Sequence, residues 1–204
     1  MAEIEVTYQG DGRLDFRTLA AMYRLRHQVF HDRLGWAVNS DNGMEYDEFD
    51  DLKPVYIVVR AGDGAVQGCW RLLPTTGPYM LRDVFPQLLG GAPPPRAPDI
   101  WELSRFAVAA DQVEGPGFGF SDIPLRMMQT SVRFARKNGI RRYVTVTSVA
   151  IERLLRKQGI HMARLGPVQR IGRVLTVACT LEVDPISEFA LFGTLPEQSE
   201  RKVA

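Results

Sequence analysis

Ile-Trp-Glu-Leu-Ser-Arg-Phe-Ala-Val, residues Ile100–Val108, is the stretch around which the rest of the chain is organised. Aromatic and aliphatic residues dominate it and a proline-rich segment precedes it, so it predicts a buried strand. Alternation along a strand divides its side chains between two faces, one with Glu102, Ser104 and Phe106 and the other with Trp101, Leu103 and Arg105. A carboxylate and a guanidinium are costly inside such a strand unless they are paired. The stretch therefore predicts either a structural salt bridge or the floor of an active site.

The composition is that of an ordinary globular protein. A chain of 204 residues is long enough to bury a core, and a net charge of +1 gives no reason to expect nucleic acid as a partner. No stretch has the apolar length of a membrane helix, and residues 1–10 do not resemble a signal peptide. The two cysteines, Cys69 and Cys179, lie in separate apolar runs and predict core residues in a reducing compartment. We expect one cytoplasmic domain over residues 1–204 that binds no membrane, with a frayed polar tail at 194–204.

Hydrophobic periodicity predicts an alternation of strands and helices. Strands are expected at residues 4–8, 55–61, 65–73, 100–108, 143–149 and 174–183. Helices are expected at residues 14–30, 81–89, 121–138, 151–158 and 188–192. The turn Gly62-Asp63-Gly64 joins the second and third strands as a hairpin. This order predicts an α/β or α+β domain with a mixed, mostly antiparallel sheet flanked by helices.

The histidines do not predict a metal site. His27 and His31 are four residues apart on a predicted helix, a spacing that would present both rings to one zinc ion. No cysteine or third histidine supports this pair. We therefore predict no metal ion.

Four clusters of charged and aromatic residues follow one another along the chain. They are Arg26-x-x-x-Phe30 with Leu34-Gly35-Trp36, then Glu45-x-Asp47-x-x-Asp50, then Arg71, and finally Trp101-Glu102-Leu103-Ser104-Arg105-Phe106. In this order and spacing they closely resemble the acyl-homoserine lactone synthases of the autoinducer-synthase (LuxI) type. The resemblance extends from the first helix to Leu191-Phe192-Gly193.

This resemblance implies a fold similar to that of GNAT-type N-acyltransferases. It implies two substrates, S-adenosylmethionine and an acyl group on acyl carrier protein, although some relatives accept acyl-CoA. Such enzymes acylate the amine of S-adenosylmethionine, after which the methionyl carboxylate closes onto its γ-carbon and releases methylthioadenosine. The product is a quorum-sensing signal, and no cofactor is expected because S-adenosylmethionine is a substrate.

The chemistry and the resemblance together assign roles to the charged and aromatic residues. Glu102 is the candidate general base for the substrate ammonium, acting directly or through a water, with orientation of the amine alone as the alternative. Arg26 is expected to bind the substrate carboxylate, and Phe30 and Trp36 to contact the sulfonium or adenine, with core packing as the alternative for both rings. The expected ion pairs join two carboxylates with two guanidiniums: Asp47 and Asp50 with Arg71 and Arg105.

The acyl group needs an oxyanion donor and an apolar tunnel. The backbone N–H of Phe106 is the candidate oxyanion donor. The residues expected near the acyl chain are Leu125, Met127, Val144, Thr145, Val146, Val149, Leu154, Leu155 and Ser104, with core packing as the alternative for most of them. In the family, a threonine at the place of Thr145 goes with 3-oxo-acyl substrates, because its hydroxyl can donate to the 3-oxo group. Ser104 is not expected to be a nucleophile, since no Ser-His-Asp or Cys-His arrangement is visible.

A short predicted helix carries the basic residues Arg153, Arg156 and Lys157. Acyl carrier proteins are acidic, so a local basic patch in a nearly neutral chain would steer one towards it. The alternative is an ordinary solvated helix face. Family position favours Arg153 and Lys157 over Arg156.

Two other functions compete with this interpretation. A general GNAT acetyltransferase using acetyl-CoA usually has a Gln/Arg-x-x-Gly-x-Gly/Ala loop that holds pyrophosphate at a helix N-terminus. Gly115–Phe120 is rich in glycine but lacks the leading part of that motif. A catalytically inert sensor of S-adenosylmethionine or lipid is disfavoured because the charged set of Arg26, Asp47, Arg71, Glu102 and Arg105 is intact.

Overall fold

The computed structural model describes residues 2–110, 114–115 and 119–193. The strands are β1 (Glu3–Tyr8), β2 (Ser40–Asp41), β3 (Met44–Glu45), β4 (Val55–Arg60), β5 (Val66–Pro74), β6 (Ile100–Val108), β7 (Glu114–Gly115), β8 (Gly119–Phe120), β9 (Arg142–Ser148), β10 (Met162–Arg164), β11 (Gln169–Ile171) and β12 (Val174–Glu182). The α-helices are α1 (Phe16–Arg26), α2 (Met80–Asp83), α3 (Asp122–Lys137), α4 (Val149–Gln158) and α5 (Pro185–Phe192). The predicted frayed tail, residues 194–204, lies outside the described residues.

Eight strands form one sheet in the order β1-β4-β5-β6-β9-β12-β10, with β11 also paired to β12. Every pairing in it is antiparallel except that of β6 with β9, which is parallel. A parallel pair needs a long crossover, and α3 lies in the connection between these two strands. The predicted mixed, mostly antiparallel sheet flanked by helices is therefore confirmed.

The sheet is covered on both faces. Strand alternation sends Ile57 and Val59 of β4 into a core with α3, α4 and α5, while Tyr56 and Val58 pack against α1. None of the described helices is long and apolar enough to cross a bilayer. The predicted cytoplasmic location stays a prediction.

A bulge in β6 changes the predicted division of its side chains. Cys69 of β5 pairs with Ala107 and Arg71 with Ser104, so Arg105 and Phe106 together oppose the single residue between them. Arg105 has φ +57°, in the left-handed region that L-residues rarely adopt. The extra residue moves Arg105 onto the face of Glu102 and Ser104, whereas Phe106 packs with Trp70 on the face of Leu103. The alternation predicted the opposite face for both residues and was wrong because it assumed regular pairing.

The predicted first helix is two elements. Asp15 caps α1, its side chain accepting from the N–H of Thr18, and a π-helix (His27–Arg33) follows directly. The predicted helix at 81–89 is likewise split into α2 and a 3-10 helix (Pro86–Leu89), since Pro86 has no N–H with which to continue α2.

Candidate active site

Six buried charged side chains form one ion-pair network between α1, the loop that follows the π-helix, β5 and β6. Its members are Arg26, Arg71, Arg105, Glu45, Asp47 and Asp50. Asp50 accepts from Arg26 Nη1 at 2.8 Å and from Arg71 Nη1 at 2.9 Å, and Asp47 lies 2.8 Å from Arg105 Nη2. Glu45 joins the network through Arg105 Nη2 at 2.8 Å. Three guanidiniums thus face three carboxylates, and the network carries no net charge.

The network confirms three of the expected ion pairs and corrects the fourth. Asp47 pairs with both Arg71 and Arg105, and Asp50 pairs with Arg71, but the second guanidinium on Asp50 is Arg26 rather than Arg105. Arg26 is 0% exposed, and its Nε, Nη1 and Nη2 donate to Glu45 and Asp50. Three of the five N–H groups of Arg26 are thus engaged within the network, and Arg26 lines neither the aromatic nor the apolar cavity of the site. Its predicted contact with the substrate carboxylate stays a prediction.

The acidic loop folds locally as well as through these ion pairs. Asp47 and Asp50 form a capping box on a single 3-10 turn (Glu48–Asp50), each side chain accepting from a backbone N–H of the turn. Burial alone would raise the pKa of Asp50, but Arg26 and Arg71 outweigh it and hold the pKa well below the ordinary range. The same carboxylates therefore fix the loop and neutralise the arginines.

Glu102 lies apart from the network and is 1% exposed. Its carboxylate accepts from the backbone N–H of Met80 at 2.9 Å and of Leu81 at 2.7 Å, the first residues of α2. Burial raises the pKa of Glu102, and these two N–H groups offset only part of that effect. A buried carboxylate with a raised pKa, lining a cavity, has the properties of a general base.

An aromatic wall stands opposite β6 in this cavity. Phe30 and Trp36 stack with ring centroids 5.5 Å apart, and Phe85 lies 6.1 Å from Trp36. Phe30 is also 5.1 Å from the guanidinium carbon of Arg105. Phe30 and Trp36 line the cavity as expected, whereas Phe85, Met80 and Arg33 were missed, since only the fold brings their distant or loop positions here.

The cavity continues through the sheet. The β6–β9 ladder ends where Leu103 pairs with Thr145, and beyond it the two strands border a gap. The aromatic cavity on one face and an apolar cavity on the other share lining residues at this gap, namely Arg105, Phe106, Val146, Thr147 and Ile151. The bulge also removes Phe106 from register with β5. The site therefore offers a route from Glu102 to an apolar space beneath α3 and α4.

Only part of the expected acyl-chain set lines the apolar cavity. Thr145, Val146 and Leu155 line it, and Ser104 lies in the aromatic cavity, where its hydroxyl accepts from Arg71 Nε at 3.2 Å. Five expected residues line none of the cavities described here: Leu125, Met127, Val144, Val149 and Leu154.

The direction in which a side chain points from its helix or strand explains why an expected residue lies outside the apolar cavity. Val144 points to the sheet face opposite Thr145, into the core around α2. Met127 is fully buried against Gly68 of β5, so Met128 faces the cavity in its place. Four further residues complete the lining, and they were missed because the direction of each side chain depends on packing between distant elements: Trp70, Leu103, Met128 and Leu181.

The basic helix α4 presents its charges unevenly. All three basic residues, Arg153, Arg156 and Lys157, are exposed, but they differ in their contacts. Arg156 pairs at 3.1 Å with Glu152, which is buried and also binds Arg164 at 2.7 Å. Arg156 therefore helps to hold the fold, and Arg153 and Lys157, the positions that the family resemblance favours, stay the candidates for contact with a partner.

Comparison with known proteins identifies the family to which this site belongs. The family model described as autoinducer synthase matches residues 13–191. The chain belongs to the autoinducer synthase family. An acyl-homoserine-lactone synthase from Pseudomonas aeruginosa is 41% identical over 181 residues, which cover 88% of this chain and 89% of that protein. As an autoinducer synthase the chain is an acyltransferase-type enzyme.

Solved autoinducer synthases share the fold. The crystal structure of the synthase LasI superposes with a TM-score of 0.86 at 38% identity, covering 96% of each chain. BjaI, a CoA-dependent acyl-homoserine lactone synthase solved with S-adenosylmethionine and isopentyl-CoA, has a TM-score of 0.82 at 27% identity, covering 95% of this chain and 89% of that one. These matches confirm the predicted GNAT-like fold of the autoinducer synthase.

Proposed function

We propose that this autoinducer synthase transfers an acyl group from acyl carrier protein to the amine of S-adenosylmethionine and then closes the lactone. The amine attacks the thioester carbonyl, the new C–N bond forms, and the C–S bond breaks to free the carrier thiol. The methionyl carboxylate then attacks its own γ-carbon, and the bond from that carbon to sulfur breaks to release methylthioadenosine. The position of Glu102 in a cavity that opens through the β6–β9 gap into an apolar space is the observation that supports this proposal.

In this proposal Glu102 removes the proton that the amine loses. Phe30 and Trp36 contact the sulfonium or adenine, since aromatic faces attract cations and stack on bases. Arg33 is proposed beside Arg26 as a partner of the substrate carboxylate, because it lines the same cavity and belongs to none of the network's ion pairs. The backbone N–H of Phe106 stabilises the oxyanion, since the bulge frees it from the ladder to β5.

The acyl chain extends through the gap into the cavity lined by Trp70, Thr145 and Leu155. Thr145 Oγ1 donates to the carbonyl of Leu103 at 2.8 Å, so its proton is engaged while its lone pairs stay free to accept. This geometry suits a 3-hydroxyl directly, and a 3-oxo group once the hydroxyl rotates. Preference for an oxygen at the 3-position stays a prediction. The apolar lining of this cavity also favours a longer acyl chain, which would reach it through the gap, over the acetyl group of a general acetyltransferase.

A reconstituted reaction tests the proposal. Purified protein with S-adenosylmethionine and a series of acyl carrier protein thioesters should yield N-acyl-homoserine lactone and methylthioadenosine in equal amounts, measured by mass spectrometry. The same acyl groups on CoA should react with lower kcat/KM. If lactone forms only from acyl-CoA, the donor assignment is wrong. If no lactone forms while acetyl-CoA is consumed with another amine, the protein is a general acetyltransferase and the proposed reaction is wrong. If S-adenosylmethionine binds without turnover, the protein is an inert sensor and the proposed reaction is wrong as well.

Charge reversal on α4 tests the carrier protein surface. Arg153→Glu with Lys157→Glu should raise KM for the acyl carrier protein thioester about tenfold, because charges at an interface rim govern association with a charged partner. Acyl-pantetheine, which lacks the acidic protein, should react as with the wild type. Arg17→Glu, an exposed site on α1, is the matched control. Equal losses with both donors would mean that the substitutions damage the fold or the site instead.

A further inference from the structure

Three side chains on the π-helix gather ligand atoms away from the active site. The rings of His27 and His31 are stacked, with centroids 4.7 Å apart and planes 12° from parallel. The i→i+5 hydrogen bonds of a π-helix keep side chains four or five apart on one side of the segment. Asp32 adds a carboxylate, and one ligand atom from each residue lies within 4.8 Å of the others.

The tautomer of His27 is set by a neighbouring strand. Ser40 Oγ donates to the carbonyl of Met44 at 3.1 Å, so it can only accept from His27, whose Nδ1 is 2.5 Å away. Neutral His27 therefore carries its proton on Nδ1 and a lone pair on Nε2. That lone pair faces Asp32 Oδ1 at 3.5 Å. Two lone pairs at this separation can both coordinate one metal ion placed between them.

We propose that His27, His31 and Asp32 bind a divalent transition-metal ion of the zinc class. Two ligands on one tetrahedral zinc, each about 2.0–2.1 Å from the metal, are roughly 3.4 Å apart, which agrees with the 3.5 Å between His27 Nε2 and Asp32 Oδ1. Imidazole and carboxylate are donors that zinc accepts. The hydrogen bond from His27 Nδ1 to Ser40 is the outer contact that usually orients a histidine ligand.

The positions of His31 and Asp32 suit a metal site with one coordination position open to solvent. His31 Nδ1 is 2.8 Å from Asp32 Oδ1, a direct hydrogen bond that must widen, and both side chains are more than half exposed, which lets them rotate. Solvent can supply the fourth ligand. Phe30, on the same π-helix, is buried in the wall of the active site, so a bound metal would hold that segment together from its outer side.

Calorimetric titration tests the site. The full chain, dialysed against a chelator and then freed of it, is titrated with zinc chloride near neutral pH. The wild type should show one saturable site, and His31→Ala and Asp32→Asn should each weaken it by about tenfold or more. Ser40→Ala should weaken it less. His161→Ala is the matched control, because His161 is also exposed and also paired with an aspartate, Asp184, but does not belong to this cluster.

Thermal unfolding gives a second readout. Zinc should raise the melting temperature of the wild type and of His161→Ala, but not that of His31→Ala. No saturable binding by the wild type would overturn the proposal. Equal affinity in the wild type and both ligand variants would overturn it too, since the metal would then bind elsewhere. The proposal is independent of the acyltransfer reaction, and neither result bears on that reaction.

Discussion

Replacing Glu102 with glutamine should lower kcat by about 10²–10⁴, the usual contribution of a positioned general base. Glutamine keeps the shape of the side chain but cannot take the proton of the substrate amine. KM for S-adenosylmethionine should change much less, since the aromatic wall and Arg33 remain in place. Release of the carrier thiol under saturating substrates measures the effect.

The pH dependence separates this role from a structural one. Because burial raises the pKa of Glu102, the wild-type rate should increase with pH as the carboxyl group ionises. That increase should be missing from the residual activity of Glu102→Gln. Glu102→Asp, which retains a carboxylate, should recover part of the rate and keep the pH dependence. Glu48→Gln, an exposed site in the acidic loop, is the matched control. Wild-type turnover by Glu102→Gln would remove Glu102 from the chemistry.

Sequence reasoning located the residues of the site better than their contacts. Hydrophobic pattern identified β6 and the hairpin, and the four spaced clusters identified the ionisable side chains. Which carboxylate meets which guanidinium depends on how an irregular loop folds, and periodicity says nothing about that. The sequence accordingly suggests a substrate contact for Arg26 and gives no sign of its hydrogen bonds to Glu45 and Asp50.

The bulge at Arg105 is a second feature that the pattern of the sequence alone does not predict. The sequence of a single strand predicts regular alternation of its side chains. The extra residue is recognised only from the pairing of β6 with β5. The same holds for the groups that hold Glu102, since the N–H groups of Met80 and Leu81 come from a helix about twenty residues earlier in the chain. Backbone donors carry no sequence signal, because every residue except proline has one.

Replacing Asp50 with asparagine should lower the free energy of unfolding by about 3–5 kcal/mol, the cost of breaking a buried ion pair from one side. Asp50 accepts from Arg26, Arg71 and the hydroxyl of Tyr56, and it is 0% exposed. Asparagine leaves a balanced network with one uncompensated positive charge. Because domains are stable by only about 5–15 kcal/mol, the loss should be large in urea unfolding at neutral pH.

Lowering the pH should reduce the difference in the free energy of unfolding between Asp50→Asn and the wild type. The folded-state pKa of Asp50 is depressed, so its contribution is complete above the ordinary aspartate pKa and is lost as the pH falls towards the folded value. Asp51→Asn, at an exposed neighbour whose carboxylate accepts from the hydroxyl of Tyr46, should change stability by no more than about 0.5 kcal/mol. An Asp50→Asn protein as stable as the wild type would mean that solvent or a shifted arginine relieves the charge. The three arginines would then be free to serve substrate, and the assignment of the network to structure would fail.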